Sequence, residues 1–428
     1  MRRRHLLLLC VLAGCASPAG PPPTLGPVAV APPAPAVTAP PAAAPIIPPT
    51  ASGEIQFDQW AAEFQGRAVR AGVSPAVVAR EMQGLTPDPR VASLDGRQPE
   101  FSKPVGDYIK GVVSADRIAS GQRRRAEMGE LRAIEQRQGV PPEILLAIWA
   151  METNFGTIMG DMDVVRSMAT LAAQGRRRVW AEGELIAALK IIEAGEFPRS
   201  RLRGSWAGAM GHTQFIPTSF QAMAVDGDGD GRRDVWGSSA DGLASAANLL
   251  AKGGWRRGEA WAREVTVPAG FDYSLTEGPR QPPSWWAERG VRAADGAGWR
   301  GGDNGEAQLV APAGAGGPLF LLFPNHFAIR KYNNSLAYAL GVGFLADRFA
   351  GGGALARAWP VETPLALVDR MTAQRALAAL GFDPGAPDGV VGMGTRSALR
   401  NWQKARGIVA DGYLSPTMVQ RLKSEAGV

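Results

Sequence analysis

The sequence of 428 residues contains very little cysteine and histidine, with two of the first and three of the second. Cys10, Cys15 and His5 all lie within the first fifteen residues, so the rest of the chain holds only His212 and His326. This scarcity excludes a disulfide framework, a cysteine nucleophile and a His/Cys zinc cluster from the body of the protein. Any chemistry there therefore depends on carboxylates, hydroxyls, amides or oxygen-bound metals.

The N-terminus has the pattern of an export signal. Three arginines at positions 2–4 precede an apolar stretch over residues 6–12 that is too short to span a bilayer. The stretch ends in Leu-Ala-Gly-Cys15, which resembles a bacterial lipobox. We predict a signal peptide over residues 1–14 and a lipid anchor on Cys15, with a plain secretory peptide as the alternative. No aspartate follows Cys15 directly, which by resemblance to Gram-negative lipoproteins favours the outer membrane, facing the periplasm.

Residues 15–53 are predicted to form a tether. Residues 16–53 carry no charged side chain, and 13 of the 34 prolines lie between positions 18 and 50. Proline removes amide donors and fixes φ, which favours an extended polyproline-like chain. Removal of residues 1–14 takes away three arginines and lowers the formal charge from +6 to +3. An excess this small on an exported protein gives no indication of a nucleic-acid partner.

A folded, mainly helical region is predicted over residues 54–350. Helical spacing of apolar residues covers 69–82, 108–138 and 184–194, and a closing helix is expected over 334–349. Two strand-like pieces, at 264–268 and 319–323, indicate a small β subregion. The fold class is therefore mainly α, with a boundary between Gly351 and Pro364.

The last part of the chain, residues 363–425, has its own pattern of two half-repeats. Each half has an Asp-Gly turn, at residues 388–389 and 411–412, followed by a threonine, Thr395 or Thr417, that is expected to cap the next helix. The pattern predicts a compact unit of three helices. It resembles the small peptidoglycan-binding domain of many cell-wall enzymes.

If the C-terminus binds peptidoglycan, the central region is expected to cut or remodel it. A cysteine transpeptidase or a zinc amidase does not fit the residue census, which leaves glycan cleavage by a carboxylic acid. Glu152 is the best candidate because it continues the apolar stripe formed by Ile144 and Ile148 near the end of a predicted helix. A buried position and the negative end of the helix dipole both favour a protonated carboxyl group. A glutamate that only reaches solvent or pairs with an arginine is the alternative.

Three blocks of sequence carry a resemblance to the membrane-bound lytic murein transglycosylase B family. They are Ala-Ile-Trp-Ala-Met-Glu-Thr-Asn-Phe-Gly at 147–156, Ser-Trp-Ala-Gly-Ala-Met-Gly-His-Thr-Gln-Phe-Ile-Pro-Thr-Ser-Phe at 205–220, and Pro-Asn-His-Phe-Ala-Ile-Arg-Lys-Tyr-Asn-Asn-Ser at 324–335. The resemblance implies a lysozyme-like catalytic domain in which Glu152 is the sole acid/base. It implies cleavage of the β-1,4 bond between N-acetylmuramic acid and N-acetylglucosamine, with 1,6-anhydromuramyl ends and no cofactor for the chemistry.

The same resemblance assigns the supporting residues. Ser205, Gln214 and Asn333 match polar residues of the family's cleft, and Tyr332 and Tyr338 match glycan-contacting tyrosines. His212 falls where the family varies and is interpreted as a lining residue. Asp161 and Asp163 lie close to Glu152 in sequence, which keeps open a second carboxylate and hydrolysis of the same bond by a muramidase.

A loop at residues 226–237 follows part of the EF-hand pattern. Aspartates occupy loop positions 1, 3, 5 and 9 and a glycine occupies position 6, whereas position 12 is Gly237 instead of glutamate. The resemblance to the transglycosylases implies a longer loop, closed by an aspartate four residues later. The predicted ligands of a structural Ca²⁺ ion are therefore Asp226, Asp228, Asp230, Asp234 and Asp241; a solvated Asp-Gly turn is the alternative.

Two classes of function remain from the sequence. The favoured one is a lytic transglycosylase whose partners are peptidoglycan glycan strands and, beyond them, cell-wall synthesis complexes. The other is a non-catalytic lipoprotein that tethers the outer membrane to the wall. The complete set of Glu152, Ser205, Gln214 and Asn333 favours the enzyme.

Overall fold

A computed structural model describes residues 54–95 and 103–428. The predicted signal peptide, Cys15 and the predicted tether lie outside the described residues. The N-terminal and central helices run in this order: α1 Ile55–Arg70, α2 Pro75–Met82, α3 Pro89–Asp95, α4 Val105–Val112, α5 Ala115–Glu127, α6 Glu130–Gln138, α7 Pro142–Thr153, α8 Val164–Ala173, α9 Arg178–Glu193, α10 Pro217–Met223 and α11 Ser239–Lys252. None of the described helices is long and apolar enough to cross a membrane.

The remaining elements surround a small sheet and the C-terminal unit. The later helices are α12 Pro283–Glu288, α13 Pro324–Tyr332, α14 Leu336–Phe349, α15 Leu367–Ala379, α16 Met393–Ala405 and α17 Pro416–Ala426. The strands are β1 Met162–Asp163, β2 Arg203–Gly204, β3 Ala262–Thr266, β4 Arg292–Ala293, β5 Gln308–Val310 and β6 Leu319–Leu322. Strands β1 and β2 form one antiparallel pair, and the other four form an antiparallel sheet in the order β4-β3-β6-β5.

Two predicted helical stretches are interrupted in the structure. The stretch over 69–82 is divided because α1 ends at Arg70 and Ser74 caps α2, whose first residue is proline. The stretch over 108–138 contains three helices, since Ser114 accepts a hydrogen bond from the amide of Arg117 at the start of α5. Apolar periodicity alone predicted continuous helices over these stretches. In the structure, a polar residue inside each stretch caps a new helix and so divides the stretch.

Two apolar clusters hold the central region together. One contains α1, α2, α8 and α9, and the other places α7 against α14 and α11. Residues 144–150 of α7 are all buried. At about 25 cal/mol per Å² of buried apolar surface, such a helix is fixed by its packing far more than by its intrinsic propensity. The end of α7 is consequently a rigid platform.

The C-terminal unit contains the three predicted helices, but its caps differ from the prediction. Thr395 and Thr417 lie inside α16 and α17, and Ser415 is the residue whose hydroxyl caps α17. In each half-repeat a glutamine holds the Asp-Gly turn against a helix. Gln374 and Gln403 accept a hydrogen bond from the amide of the turn glycine, at 2.7 and 2.8 Å. Thr395 instead donates to buried acceptors within its own half.

The C-terminal unit is packed against the sheet region by polar contacts. Glu277, which has a φ of 62°, accepts hydrogen bonds from Arg396 and Arg400 at 3.0 and 2.7 Å. Burial raises the pKa of Glu277, but the two guanidinium groups outweigh it and hold the pKa below its ordinary value. Asp411 accepts a hydrogen bond from the amide of Ala315 at 2.9 Å. These contacts fix the orientation of the unit relative to the sheet.

The segment between the two regions is also bound along its length. The carboxylate of Glu264 accepts hydrogen bonds from the amides of Ala356 and Arg357, at 2.7 and 2.8 Å. Trp359 packs against Phe320, with ring centroids 5.9 Å apart. The predicted boundary after Gly351 is therefore a connection held to the protein surface.

Candidate active site

Helix α7 places Glu152 at its last turn. Pro142 occupies the first turn of the helix, and Glu143 pairs with Arg125 at the same end. The sequence predicts a left-handed cap at Gly156, but the left-handed backbone already begins at Asn154, which has a φ of 49° and ends the helix. An asparagine tolerates this conformation because its short side chain can hydrogen-bond locally.

The carboxyl group of Glu152 is a weaker acid in this environment than an ordinary glutamate. Burial raises its pKa from an ordinary value of 4.5 to about 7, while a hydrogen bond from Tyr338 acts in the opposite direction. The Tyr338 hydroxyl lies 2.6 Å from Glu152 Oε1. The glutamate residue as a whole keeps partial exposure, while its carboxyl group is desolvated. A carboxyl group of this kind can donate a proton near neutral pH and then accept one.

The structure places Tyr338 in direct contact with Glu152. This side chain is only 1% exposed, and its hydroxyl donates a hydrogen bond to the carboxyl group of Glu152. It stands in the first turn of α14, where the hydroxyl of Ser335 caps the helix by accepting a hydrogen bond from the amide of Tyr338. The cap fixes the direction from which the phenol reaches Glu152.

Tyr332 is the last residue of α13, and its phenol is close enough to Glu152 to be affected by its charge. Its hydroxyl donates to the carbonyl oxygen of Thr213. Burial, and after it the charge of Glu152, raise the pKa of Tyr332 well above its ordinary value of 10. The phenol therefore stays protonated when Glu152 is ionised. Its hydrogen bond to Thr213 connects α13 to the loop at 204–215.

The loop at 204–215 brings Ser205 and Gln214 to this region. Ser205 is buried, and its hydroxyl accepts a hydrogen bond from the amide of Ala209 at 3.1 Å. Gln214 has a φ of 52°, and its amide nitrogen donates to the carbonyl oxygens of Met159 and Gly211 at 3.1 and 3.0 Å. Since both amide hydrogens are used, the side-chain carbonyl oxygen is the group available to a ligand. The unusual backbone conformation is maintained by these bonds.

Asn333 caps the C-terminal end of α13 and is buried, with 7% of its surface exposed. Its backbone carbonyl accepts a hydrogen bond from the amide of Ser335 at 2.8 Å. The turn from Asn333 to Ser335 thus connects the two helices that carry Tyr332 and Tyr338.

Sequence reasoning missed the role of Thr153, whose side chain binds two backbone groups next to Glu152. Thr153 donates from its hydroxyl to the carbonyl oxygen of His212 at 2.7 Å and accepts a hydrogen bond from the amide of Gly156 at 3.0 Å. His212 accepts a hydrogen bond at Nδ1 from the indole of Trp149, at 3.2 Å. Burial lowers the pKa of His212, so its ring is neutral and lines the site. A threonine directly after the acid was the only sequence feature that indicated this link.

Of the two alternative second carboxylates, Asp163 is engaged in structural contacts. Asp163 caps α8 by accepting a hydrogen bond from the amide of Arg166, and its other oxygen pairs with Arg199 at 2.8 Å. Asp161 is exposed. The structure therefore gives Asp163 a structural contact that a nucleophile or general base would have to break.

Three of the five predicted calcium ligands come together. Asp226, Asp228 and Asp241 each place a carboxylate oxygen within 4.8 Å of the others, while Asp230 and Asp234 lie outside this group. Asp234 pairs instead with Arg201 at 2.8 Å. Asp241 is completely buried and accepts hydrogen bonds from the amides of Gly227 and Asp234. A hard cation suits such a set of oxygens, since Ca²⁺ takes six to eight oxygen ligands.

Comparison with known proteins shows the family. A profile described as a transglycosylase SLT domain matches residues 56–347, more than half of the chain. The chain belongs to the SLT transglycosylase family. A second profile, described as a putative peptidoglycan binding domain, matches residues 368–422 of this SLT transglycosylase.

Individual relatives of this family member agree with that result. Membrane-bound lytic murein transglycosylase B of Escherichia coli is 32% identical over 259 residues, which make up 57% of this chain and 66% of that protein, just under two thirds of its length. The crystal structure of SltB3 from Pseudomonas aeruginosa, in complex with NAG-anhNAM-pentapeptide, is 47% identical, with a TM-score of 0.81, and covers 86% of this chain and 99% of its own. The likeness confirms the predicted lysozyme-like, mainly α fold with a C-terminal helical domain.

A second related structure contains a metal ion. It is the lytic transglycosylase Slt35 of Escherichia coli in complex with calcium, which is 28% identical, has a TM-score of 0.59, and covers 68% of this chain and 92% of its own.

Proposed function

We propose that this SLT transglycosylase is a lytic murein transglycosylase, which cleaves the β-1,4 bond between N-acetylmuramic acid and N-acetylglucosamine and leaves 1,6-anhydromuramyl ends. The observation that carries the proposal is Glu152, whose carboxyl group has a pKa of about 7 and accepts a hydrogen bond from Tyr338. The family match supports the activity, and the related SltB3 was crystallised with a fragment that contains the anhydro sugar.

The first chemical step is a proton transfer from Glu152 to the glycosidic oxygen. The bond between that oxygen and C1 of the muramyl residue breaks, and the N-acetylglucosamine side leaves as an alcohol. The positive charge that develops at C1 is stabilised by the carbonyl oxygen of the muramyl acetamido group, which replaces the second carboxylate of ordinary glycosidases. Burial of Glu152 supplies the protonated form that this step requires.

The second step uses the carboxylate formed in the first. Glu152 takes the proton from the C6 hydroxyl of the muramyl residue, and the C6 oxygen forms a bond to C1, which closes the anhydro ring. The hydrogen bond from Tyr338 stabilises the ionised carboxylate between the two steps. Ser205, Gln214 and Asn333 position the acetamido and C6 groups, and Tyr332 closes the pocket by its contact with the 213 carbonyl.

The proposed organisation of the chain follows from this substrate. Residues 54–350 form the catalytic domain and residues 363–425 bind peptidoglycan, an assignment that the match over 368–422 supports. A signal peptide over 1–14, a lipid on Cys15 and a tether over 15–53 anchor the enzyme in the outer membrane, facing the periplasm. Cell-wall synthesis complexes are its proposed protein partners. The Escherichia coli relative is named as a membrane-bound enzyme, which supports the proposed anchor.

Product analysis tests the function. Purified protein incubated with murein sacculi is expected to release muropeptides whose muramyl ends resist reduction by borohydride, because the anhydro ring leaves no free C1 aldehyde. Reducible ends would show a muramidase and overturn the transglycosylase mechanism. Binding to sacculi without any release would support the non-catalytic tether.

We also propose that Asp226, Asp228 and Asp241 hold a structural Ca²⁺ ion. Three like charges within 4.8 Å repel one another, and a divalent cation removes that repulsion. The calcium complex of the related Slt35 supports the assignment. The ion would stabilise the loop and take no part in glycan cleavage.

Calcium is expected to raise the melting temperature of the protein by several degrees, and a chelator is expected to reverse the rise. The Asp241→Asn variant is expected to lose this response in a thermal melt with and without Ca²⁺. The Asp234→Asn variant is a matched control that keeps the response, since Asp234 is paired with Arg201 outside the cluster. A melting temperature that does not depend on Ca²⁺ would contradict the site.

A further inference from the structure

His212 is anchored to the turn of α7 that carries Glu152. Trp149, Glu152 and Thr153 are spaced at i, i+3 and i+4, so they share one face of the helix. The indole of Trp149 donates to Nδ1 of His212 at 3.2 Å, and the hydroxyl of Thr153 donates to the backbone carbonyl of His212 at 2.7 Å. These two contacts lie on either side of Glu152 along the chain, which places His212 beside the acid.

The position and the plane of the His212 ring are fixed by the protein. The next residue in the loop, Thr213, accepts a hydrogen bond from the phenol of Tyr332 on α13. A side chain at Gly156 would bring its Cβ within 2.6 Å of the His212 ring, so the ring packs directly on the turn that follows α7. The ring of Trp149 stands edge-on to the imidazole, with centroids 5.4 Å apart and an angle of 80° between the planes. The ring therefore has one orientation.

The contact with Trp149 decides which ring nitrogen of His212 carries the proton. An indole N–H is only a donor, so Nδ1 of His212 is an unprotonated acceptor. Burial lowers the pKa of His212, which keeps the ring neutral. The single proton of a neutral imidazole is then on Nε2. His212 thus presents one N–H donor in a fixed direction.

The Nε2 donor of His212 has no acceptor within the part of the chain that the structure describes, yet it is not enclosed. The other histidine of the folded region gives the contrast. Both ring nitrogens of His326 are unpartnered and sealed in the interior, whereas Nε2 of His212 is not sealed in this way and the residue is half-buried. A donor of this kind gains a hydrogen bond when a ligand brings an acceptor to it.

We propose that His212 is a substrate-binding residue, whose Nε2–H donates to a hydroxyl or acetamido oxygen of the glycan strand beside the bond that Glu152 cuts. The inference rests on the proposed function and adds a sugar-binding residue to it. A neutral N–H donor suits an uncharged oxygen, and N-acetylated sugars carry such acceptors on every ring. Because Trp149 fixes the tautomer, the donor is in place before the glycan arrives, and no reorientation of the ring opposes binding.

Nitrogen NMR of the ring tests this contact independently of catalysis. Protein labelled with ¹⁵N-histidine, in the Glu152→Gln background to prevent cleavage, is titrated with a stem-free tetrasaccharide of alternating N-acetylglucosamine and N-acetylmuramic acid. His212 is expected to be the Nε2–H tautomer, and its Nε2–H signal is expected to shift as the site saturates. The signals of His326 are the internal control and are expected to stay in place, because that ring is enclosed. An Nδ1–H tautomer of His212, or an Nε2 signal that the glycan does not move, would overturn the contact.

Two substitutions of His212 separate its donor from its acceptor. The amide nitrogen of glutamine reaches about as far as Nε2 of histidine, whereas the amide group of asparagine reaches only as far as Nδ1. In the same background, His212→Gln is expected to bind the tetrasaccharide within about threefold of the parent protein. His212→Asn is expected to bind it about tenfold more weakly, which is the loss of one hydrogen bond to the ligand.

The order of the two affinities is the decisive result. Tighter binding by His212→Asn than by His212→Gln would show that His212 only accepts the hydrogen bond from Trp149, and would overturn the proposal. Equal affinities of the two variants, whether reduced or unchanged, would overturn it as well. If the wild-type enzyme releases nothing from sacculi, the proposed function fails, while the NMR shift and these affinities still decide whether His212 contacts the glycan.

Discussion

The Glu152→Gln variant is expected to release soluble fragments from sacculi about 10³-fold more slowly than the wild type, or not measurably. The amide has nearly the same shape as the carboxyl group, but it cannot protonate the glycosidic oxygen or take the proton of the C6 hydroxyl. Both steps of the mechanism are lost at one position, because the same carboxyl group is the acid of the first step and the base of the second. Release is measured by liquid chromatography of the soluble products.

The same variant is expected to bind sacculi as well as the wild type does, since the C-terminal domain is unchanged. The Glu143→Gln variant is the control on the same helix, where the side chain pairs with Arg125 at the opposite end. It is expected to keep full activity. Wild-type activity in the Glu152→Gln protein would refute the single-acid mechanism, and loss of sacculus binding would show that the substitution disturbs more than the chemistry.

The Tyr338→Phe variant is expected to lose about tenfold or more in the rate of release at pH 6. The phenol holds the carboxyl group of Glu152 at 2.6 Å, and its removal frees the side chain from the productive orientation. It also removes the interaction that favours the ionised form of Glu152. The pKa of Glu152 therefore rises further in the variant.

The higher pKa of Glu152 in the variant shifts the pH profile of kcat/KM in a direction that can be stated. The first step needs protonated Glu152, so kcat/KM of the wild type is expected to be highest below pH 7 and to fall about tenfold per pH unit above it. In Tyr338→Phe this alkaline fall is expected to move to higher pH. Tyr413→Phe is the control, since Tyr413 also donates a hydrogen bond to a glutamate, Glu362, but in the C-terminal region. A lower rate with an unmoved profile would contradict the electrostatic part of the contact.

Much of the fold could be predicted because its apolar periodic patterns are long and many of its turns are marked by residues typical of turns. The helix that carries Glu152 and the three helices of the C-terminal domain were predicted from spacing and turn residues. The misplaced ends at Ser114 and Asn154 have one cause: helix ends depend on single polar side chains and on left-handed residues, whereas periodicity averages over a turn or more. The caps assigned to Thr395 and Thr417 fail for the same reason.

The candidate site was only partly accessible to sequence reasoning. Glu152 was predictable because an ionisable residue continues an apolar stripe of its helix, which indicates that the group is buried. The direct partner of Glu152, Tyr338, lies 186 residues away in the chain. Its distance from Glu152 depends on how α14 packs against α7, and packing is a property of the whole fold. The division of the aspartates into a cluster and an Arg201 pair depends on tertiary contacts in the same way.

The contacts of Glu277 with Arg396 and Arg400 have a consequence for the free energy of wall binding. Two domains joined by a flexible linker lose rotational and translational freedom each time both engage the same substrate. In this protein the segment between the domains is held by Glu264, and the C-terminal domain is held by Glu277. That freedom is therefore lost once, during folding. A glycan strand that reaches the C-terminal domain therefore meets a cleft whose direction and distance are already set, and no further ordering of the protein opposes the encounter.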